Sequence, residues 1–493
     1  MKLFRPVDDF LNGITMYRLV VYVLGLLLAV SAVFMITGVL SYSFSGFIAT
    51  SGVLLAACFA ANMLLSRLRR VVPNHESGLV TALILACILP QTHTLERAMI
   101  VALTGVIAIA VKYLLVWRGS HFINPAATAA VVVSLTGLLP VTWWIANPSL
   151  FIPMALLGVL VLRKTRRFIL FGWFALAAVM VTLLVAMVGG WELGSVLQTL
   201  VLSYPLLFLG CIMLTEPTTL PAGRLPIALY GGLVGVLFAS QLDLGFVSMS
   251  PHLALVIGNV FSMVVTPKRG LRLRLEACNE IAPRIYDAVF TQPAGGRLPY
   301  APGQYMEWTI PGVPFDNRGN RRTFTIASSP TEDRLRIGIK TYQSSSAFKR
   351  RLLELKPGAL VMAGHVGGSF TLPPRSSGKL LFVAGGIGVT PFRSMVKYLM
   401  DTHESRDIIL IYAAHKGEFV YRKIFGMAEK YGVKTFYFTE QLTDVAIREM
   451  APDFTERIPY VSGPQPLVRG VSDALVRMGV SRSRIRTDLF TGY

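Results

Sequence analysis

Charge is scarce in this 493-residue sequence: Asp, Glu, Lys and Arg make up 15% of it, against about 25% in ordinary soluble proteins. With 53% hydrophobic residues and a mean hydropathy of +0.57, a wholly soluble globular chain is excluded. Cysteine is nearly absent. Cys58, Cys87, Cys211 and Cys278 form no CxxC pair, which argues against a zinc site or a disulfide framework, and no metal centre is expected. Acids are fewer than bases, 27 against 47, and the resulting net charge of +20 would ordinarily suggest nucleic acid. Its placement argues otherwise. Residues 1–266 hold 14 Lys/Arg and 7 Asp/Glu, with the cations mostly at the ends of apolar runs, and the remaining 33 and 20 are intermixed. Membrane orientation and nucleotide phosphates account for this pattern, and no nucleic-acid partner is expected.

What is abundant is long apolar runs. They fall near 16–37, 45–65, 77–90, 98–117, 122–140, 148–162, 168–189, 196–214, 226–241 and 250–266, and predict about ten membrane spans. The first run is followed by many more, so it reads as a span and not a cleaved signal. Lys2, Arg5, Arg67, Arg69, Arg70, Arg118, Arg163, Lys164, Arg166, Arg167, Arg224, Lys268 and Arg269 all fall on one side of a ten-span chain, whereas the opposite loops carry only Arg97. The positive-inside rule then predicts an inner (cytoplasmic) membrane protein with both termini and the C-terminal half in the cytoplasm.

Three stretches do not read as lipid-facing helix: Glu76-Ser77-Gly78-Leu79-Val80-Thr81, His121-Phe122-Ile123-Asn124-Pro125-Ala126-Ala127-Thr128, and Leu214-Thr215-Glu216-Pro217-Thr218-Thr219-Leu220-Pro221. Acids, amides and prolines at membrane depth are tolerated where they are buried or line a site; the plainer reading is an interfacial cap. Asn124, Thr128, Thr215, Glu216, Thr218 and Thr219 are the candidate residues of a membrane relay. A haem domain needs paired histidines a membrane depth apart on each of two helices, whereas His75, His93, His121 and His252 lie one per span end. Bis-histidine ligation across helices stays geometrically open. Cys87 and Cys211, near mid-depth, read as small apolar core residues, with iron ligation as the alternative.

The ten runs, the span-opening His-Phe-Ile-Asn-Pro-Ala-Ala and the Thr-Glu-Pro-Thr-Thr-Leu-Pro turn resemble the B-type membrane protein of sodium-pumping NADH:quinone reductase and its D-type counterpart in the Rnf complex, over residues 10–266. The resemblance implies two inverted repeats of five helices carrying flavin. That family's flavinylation motif, Asp-Gly-x-Thr/Ser-x-Ala-Thr, would follow the Asn-Pro-Ala-Ala span. Here Leu139-Pro140-Val141-Thr142-Trp143-Trp144-Ile145-Ala146-Asn147-Pro148 stands in that place. A flavin in the membrane half, FMN or riboflavin, would therefore be held non-covalently.

Beyond Lys268-Arg269-Gly270 the period changes. Short alternating strands around 271–276, 304–310 and 334–340 predict an antiparallel β-barrel. From Lys379 strands alternate with helices, as in a parallel nucleotide-binding sheet. Ala384-Gly385-Gly386-Ile387-Gly388-Val389-Thr390-Pro391 joins a strand to a helix, with glycines that let backbone amides approach a pyrophosphate, a hydroxyl to donate, and a proline suited to a first helical turn. Arg322-Thr323-Phe324-Thr325 offers a guanidinium, an aromatic face and a hydroxyl. Ser344-Ser345-Ser346 precedes a helix, Ser462-Gly463-Pro464 ends a late strand, and the sequence closes on Asp488-Leu489-Phe490-Thr491-Gly492-Tyr493.

In this order these motifs closely resemble the ferredoxin-NADP reductase superfamily. The resemblance implies an FAD-binding β-barrel over 270–376 and an NAD(P)-binding α/β domain over 377–493, after a transmembrane electron-transfer domain over 1–266. It implies that Arg322, Phe324, Thr325, Ser345 and Ser346 hold FAD. Gly385, Gly386, Gly388, Thr390, Pro391, Gly463 and Pro464 would hold the pyridine nucleotide, with Thr325, Ser462 and Phe490 beside the reacting rings. Ser462 stands where many members have Cys. His415, Lys416 and Arg422 lie where a 2′-phosphate would be read, and NADH and NADPH both stay open. The expected function is transfer of a hydride from cytoplasmic NAD(P)H to FAD and of electrons through the membrane half to an extracytoplasmic acceptor, such as a flavin-bearing protein. The alternatives are reduction of quinone within the bilayer, coupled or not to ion movement, and a flavin or ion transporter with a redox-sensing tail.

Overall fold

The computed structural model describes residues 7, 11, 14, 16–69, 75–117, 120–221, 223–240, 248–265, 271–292, 296–310, 321–342, 345–373, 378–440 and 442–490. Of the cations that orient the chain, Lys2, Arg5, Arg70, Arg118, Lys268 and Arg269 lie outside the described residues, as do Gly270, Ser344 and Thr491-Gly492-Tyr493. The chain forms two compact units, Met1–Lys268 and Arg269–Tyr493.

The N-terminal unit is helical. Its helices are α1 (Met16–Ile36), α2 (Phe44–Leu68), α3 (His75–Ile88), α4 (Leu95–Leu114), α5 (Pro125–Leu135), α6 (Phe151–Thr165), α7 (Phe168–Gly189), α8 (Leu193–Leu202), α9 (Leu206–Phe208), α10 (Arg224–Ala239) and α11 (Pro251–Val265). The ten apolar runs each fall on helix, but they do not make ten spans. Among the described residues, five helices are long and apolar enough to cross a membrane: α1, α2, α4, α7, and α6 with its leading turn from Pro148. The pair Leu193–Leu202 and Leu206–Met213, bent by 49°, makes a sixth if counted as one span. The others are shorter, and at 1.5 Å per residue α5, with 11 residues, reaches about 17 Å against a hydrocarbon core of about 30 Å. The physical reason is the polar residues that open or close these runs: Asn124 caps α5 and accepts from Ala127 N, with Pro125 in the first turn. After α9 the backbone widens into a π-helical turn, Leu209–Met213, which leads into the Thr-Glu-Pro-Thr-Thr segment. Cys87 and Cys211 are buried in the apolar core. Among the described residues no group of three or more His, Cys, Asp or Glu could hold a metal.

The C-terminal unit holds two sheets. The first is antiparallel, built from β1 (Leu271–Ala282), β2 (Ile285–Thr291), β3 (Tyr305–Thr309), β4 (Arg321–Thr325), β5 (Arg334–Lys340) and β6 (Leu360–Gly367), with α12 (Ala347–Glu354) ahead of β6. The strand order is β4-β3-β6-β1-β2-β5. The expected closed barrel is therefore an open sheet among the described residues, since no ladder joins the edge strands β4 and β5. Strand β1 pairs β6 with its first half and β2 with its second, bending at bulges near Leu275/Ala277 and Glu280/Ala282. Where the edges approach, the chain has already left strand geometry after Thr325. The approach is bridged by Ala327 N donating to Arg336 O (2.8 Å) and Arg336 N donating to Ser328 Oγ (3.1 Å).

The second sheet is parallel, in the order β9-β8-β7-β10-β11. Its strands are β7 (Leu380–Gly385), β8 (Ile408–Ala413), β9 (Val433–Phe438), β10 (Ile458–Pro464) and β11 (Arg486–Phe490), connected by α13 (Thr390–Asp401), α14 (Arg422–Met427), α15 (Asp444–Met450) and α16 (Gln465–Arg477). Every residue of β7 and β8 is buried, as continuous apolar strands covered on both faces must be. Strand β7 lies between β8 and β10, so the direction in which strands are added reverses there, and ligand crevices of parallel sheets form at the carboxyl ends of such strands.

Candidate functional site

At the carboxyl end of β7 the chain turns through Gly385–Val389 into α13, beside the end of β10. The two backbones meet: a β-carbon on Gly388 would stand 2.5 Å from Gly463 Cα and 2.5 Å from Ser462 O. Gly386 has the left-handed φ of 53°, and among the described residues a β-carbon there would meet nothing within 4 Å. The loop is thus closed on the side of β10 and open at Gly386. Between the two loops sits Ser462, fully buried, with no hydrogen-bond partner for its hydroxyl among the described residues. A buried orphan hydroxyl costs about 1–3 kcal/mol unless a ligand or water completes it. Phe490 ends β11 in register with Pro464. Gly385, Gly386, Gly388, Ser462, Gly463, Pro464 and Phe490 therefore share one end of the sheet. Pro391 stands in the first turn of α13 as expected. The Thr390 hydroxyl instead donates to Ile387 O within its own turn, at 3.0 Å.

Arg322, Phe324 and Ser346 gather around Phe348, which the sequence does not single out. Phe324 lies against it with the rings tilted by 31° and centroids 5.8 Å apart, and the Arg322 guanidinium lies 5.6 Å from its centroid. Ser346 caps α12, the helix that carries Phe348, by accepting from Lys349 N. Ser345 closes a turn, its hydroxyl accepting from Tyr342 N (2.7 Å) and donating to Tyr342 O (2.8 Å). Thr325 is buried opposite Tyr305. At the carboxyl side of β9, Arg422 lies over the Tyr437 ring at 4.5 Å.

A polar seam, equally silent in the sequence, ties the two sheets together. Arg393 of α13 donates to both carboxylate oxygens of Glu332 (2.5 and 2.9 Å) and to Ala327 O (2.7 Å), and Ser394 Oγ donates to Ser328 O (2.6 Å). Tyr421 donates to Asp287, which also binds Arg336. Burial, with the Asp287 carboxylate beside it, pushes the Tyr421 hydroxyl well above its ordinary range. Asp287 is in register with Gly338 of β5, where a β-carbon would strike Thr390 at 2.7 Å and Ile387 at 2.9 Å. The glycine turn thus rests directly on the antiparallel sheet.

In the N-terminal unit the three irregular segments meet. Glu216 Oε1 accepts from His121 Nε2 (2.9 Å) and from Thr218 Oγ1 (3.0 Å), and Oε2 accepts from Asn124 Nδ2 (2.8 Å). Asn124 N donates to Asn259, whose amide donates to the buried Tyr230 hydroxyl (2.8 Å each). A small cavity of about 40 Å³ runs along Glu216, Asn124, Ser77 and Thr81 against an apolar wall that includes Ile84 and Ile212. Thr219 Oγ1 donates to Glu216 O (3.2 Å). Thr128 and Thr215 turn away, each hydroxyl donating back to the carbonyl four residues earlier. Of the other histidines, His75 stacks on Phe59 and His252 on Trp143.

Residues 382–473 match the family model of the oxidoreductase NAD-binding domain. The reductase subunit Stc4 of stachydrine N-demethylase from Rhizobium meliloti is 28% identical over 229 residues, covering 43% of this chain and 64% of its own. The reductase subunit of glycine betaine monooxygenase from Pseudomonas aeruginosa is 27% identical over 210 residues, covering 39% and 56%. Among solved structures, the Amycolatopsis cytochrome P450 reductase GcoB aligns with a TM-score of 0.41 at 22% identity, covering 45% of this chain and 70% of that one. The chain spans 64% and 56% of the length of these two curated relatives. The C-terminal unit therefore carries an oxidoreductase NAD-binding domain, built as a parallel α/β sheet and joined to an antiparallel sheet.

Proposed function

We propose that the chain is an NAD(P)H-dependent flavin oxidoreductase of the inner (cytoplasmic) membrane, with its C-terminal unit and both termini in the cytoplasm. The observation that carries the first step is the buried, unpartnered Ser462 hydroxyl between two interlocked glycine turns, with open space over Gly386 among the described residues. This is a cradle for a dinucleotide whose reacting ring meets a polar group at the sheet edge. Arg322, Phe324, Thr325, Ser345 and Ser346 would hold FAD, with Phe348 as the platform on which Arg322 and Phe324 are set. FAD supplies the exchange of a hydride pair for single electrons. The residues of the chain orient the two rings and exclude water from between them.

Electrons would then enter the N-terminal unit, which we assign to the likeness of the B-type membrane protein of sodium-pumping NADH:quinone reductase and its Rnf counterpart. A core of about 30 Å is too thick for one efficient hop, so a carrier inside this unit is required. The carrier would be an FMN or riboflavin held non-covalently; the meeting of Ser77, Thr81, Asn124 and Glu216 along one small cavity marks where polar groups gather in this unit, and that cavity would have to widen to admit it. The acceptor is extracytoplasmic, a flavin-bearing protein. Reduction of a quinone within the bilayer is the second reading. The test is an anaerobic absorption spectrum of the purified protein before and after NAD(P)H, with its cofactors extracted. One FAD and a second reducible flavin are expected. A spectrum with no flavin would overturn the reading, and FAD alone would favour the quinone.

A further inference from the structure

We propose that Arg393 and Glu332 are positioning residues for hydride transfer. They lock the segment that leaves the candidate flavin strand β4 onto α13, the helix that leaves the nucleotide turn, and so set the two rings against each other. The inference rests on the proposed first step, in which a hydride leaves a C–H bond of the nicotinamide for the flavin ring and NAD(P)H + H⁺ + FAD gives NAD(P)⁺ + FADH₂.

The linkage is short. Ala327 follows the candidate flavin residue Thr325 by two positions, and Arg393 follows Gly388 of the turn by five. Two hydrogen bonds to main chain join them: Arg393 donates to Ala327 O at 2.7 Å, and Ser394 Oγ donates to Ser328 O at 2.6 Å. The receiving segment is held from its other side as well. Ala327 N donates to Arg336 O (2.8 Å), Arg336 N to Ser328 Oγ (3.1 Å) and the Tyr300 hydroxyl to Ser328 O (3.0 Å). Glu332 closes the same turn, its Oε2 accepting from Ser329 N at 2.6 Å as well as from Arg393. Thr331 donates to Asp401 at 2.5 Å, so the last residue of α13 is tied to this turn too. Ala327, Ser328, Ser394 and Arg393 are all buried, and movement of α13 is transmitted through bonds that water does not loosen.

Stability alone does not explain this arrangement. A buried ion pair is often replaceable by apolar residues without loss, and the pair is complete once Arg393 meets both oxygens of Glu332. The further bond from Arg393 reaches the main chain two residues from Thr325. Hydride transfer is sensitive to such a bond. Reacting atoms must stand about 3–3.5 Å apart, and a misplacement of about 1 Å costs roughly 10²-fold in rate.

The test uses the full chain with its flavin and separates the two roles. Arg393→Met with Glu332→Leu leaves no unpaired charge behind but removes the donor to Ala327 O. Anaerobic bleaching of the flavin by saturating NADH or NADPH gives the hydride rate, and the 4-deuterated nucleotides give the isotope effect. Titration gives the nucleotide dissociation constant, denaturant midpoints give stability, and amide hydrogen exchange over residues 385–395 without nucleotide reports the turn itself. The double variant should regain stability relative to Arg393→Met and keep a nucleotide dissociation constant close to wild type. Its flavin should nevertheless bleach about tenfold to a hundredfold more slowly, with a larger isotope effect and faster exchange over 385–395. Arg393→Lys, which keeps a cation and a donor at the site, should lie between it and wild type. A double variant with the wild-type bleaching rate and isotope effect would overturn the inference, as would rates that simply follow stability across the variants. Should wild-type flavin not bleach with either nucleotide, the functional reading fails and the inference falls with it.

Discussion

Gly388 and Gly463 touch backbone to backbone: a β-carbon on the first would stand 2.5 Å from the Cα of the second. No rotamer relieves a clash with main chain, so the loop or β10 must move. Gly388→Ala should cost about 1–3 kcal/mol of stability, as overpacking does, and should abolish NAD(P)H oxidation while FAD stays bound. Thermal unfolding and ferricyanide reduction check both. An alanine variant with wild-type turnover would show that the two turns do not form the nucleotide cradle.

Arg322 is placed over Phe348 beside Phe324. Hydrogen bonds to a charged group contribute about 1.5–3 kcal/mol. Arg322→Ala should therefore weaken FAD binding roughly tenfold to a hundredfold, at about 1.4 kcal/mol per factor of ten. The check is flavin content after gel filtration, and full retention of FAD would remove Arg322 from the site.

The Arg393–Glu332 pair joins α13 to the turn after β4, and both side chains are largely buried. Breaking one side of such a pair leaves an uncompensated charge at a cost of about 3–5 kcal/mol. Arg393→Met should destabilise the protein by that order, and adding Glu332→Leu should recover part of the loss. Denaturant midpoints of the three variants measure the coupling, and strict additivity would show that the pair does not act as a unit.

The Arg457 guanidinium, with the Lys379 ammonium, holds the Asp453 carboxyl down to about 2 from its ordinary 3.8. A depressed carboxyl contributes stability that is fully present above the unfolded value and lost as pH falls through the folded one. The wild-type C-terminal unit should lose stability between pH 4 and 2 more steeply than Asp453→Asn. Equal slopes in acid unfolding would contradict the assignment.

The legible parts of the site were those whose residue types are costly elsewhere. The glycines of 385–388, the acid and prolines of 214–221 and the amide and proline of 124–125 stand out because backbone approach or broken helix requires them. That Asn124 and Glu216 share a hydrogen bond was not legible, since the partners are 92 residues apart and tertiary packing chooses them. Phe348 carried no signal beyond its place after Ser344-Ser345-Ser346, where a ring reads as ordinary core. Arg393 and Glu332 carried no signal, since their pairing across 61 residues is chosen by tertiary packing. Thr128 and Thr215 were misleading for a local reason: a helical threonine hydroxyl finds its own carbonyl four residues back. The open sheet was hidden because strand periodicity says nothing about which edges pair.

The central claim is that electrons cross the N-terminal unit. Proteoliposomes with the C-terminal unit outward and ferricyanide trapped inside test it directly. NAD(P)H added outside should bleach the trapped ferricyanide, and Glu216→Ala with Thr218→Val should abolish that bleaching while external ferricyanide is still reduced. Trapped ferricyanide that stays oxidised with wild-type protein, while external ferricyanide is consumed, would contradict the account.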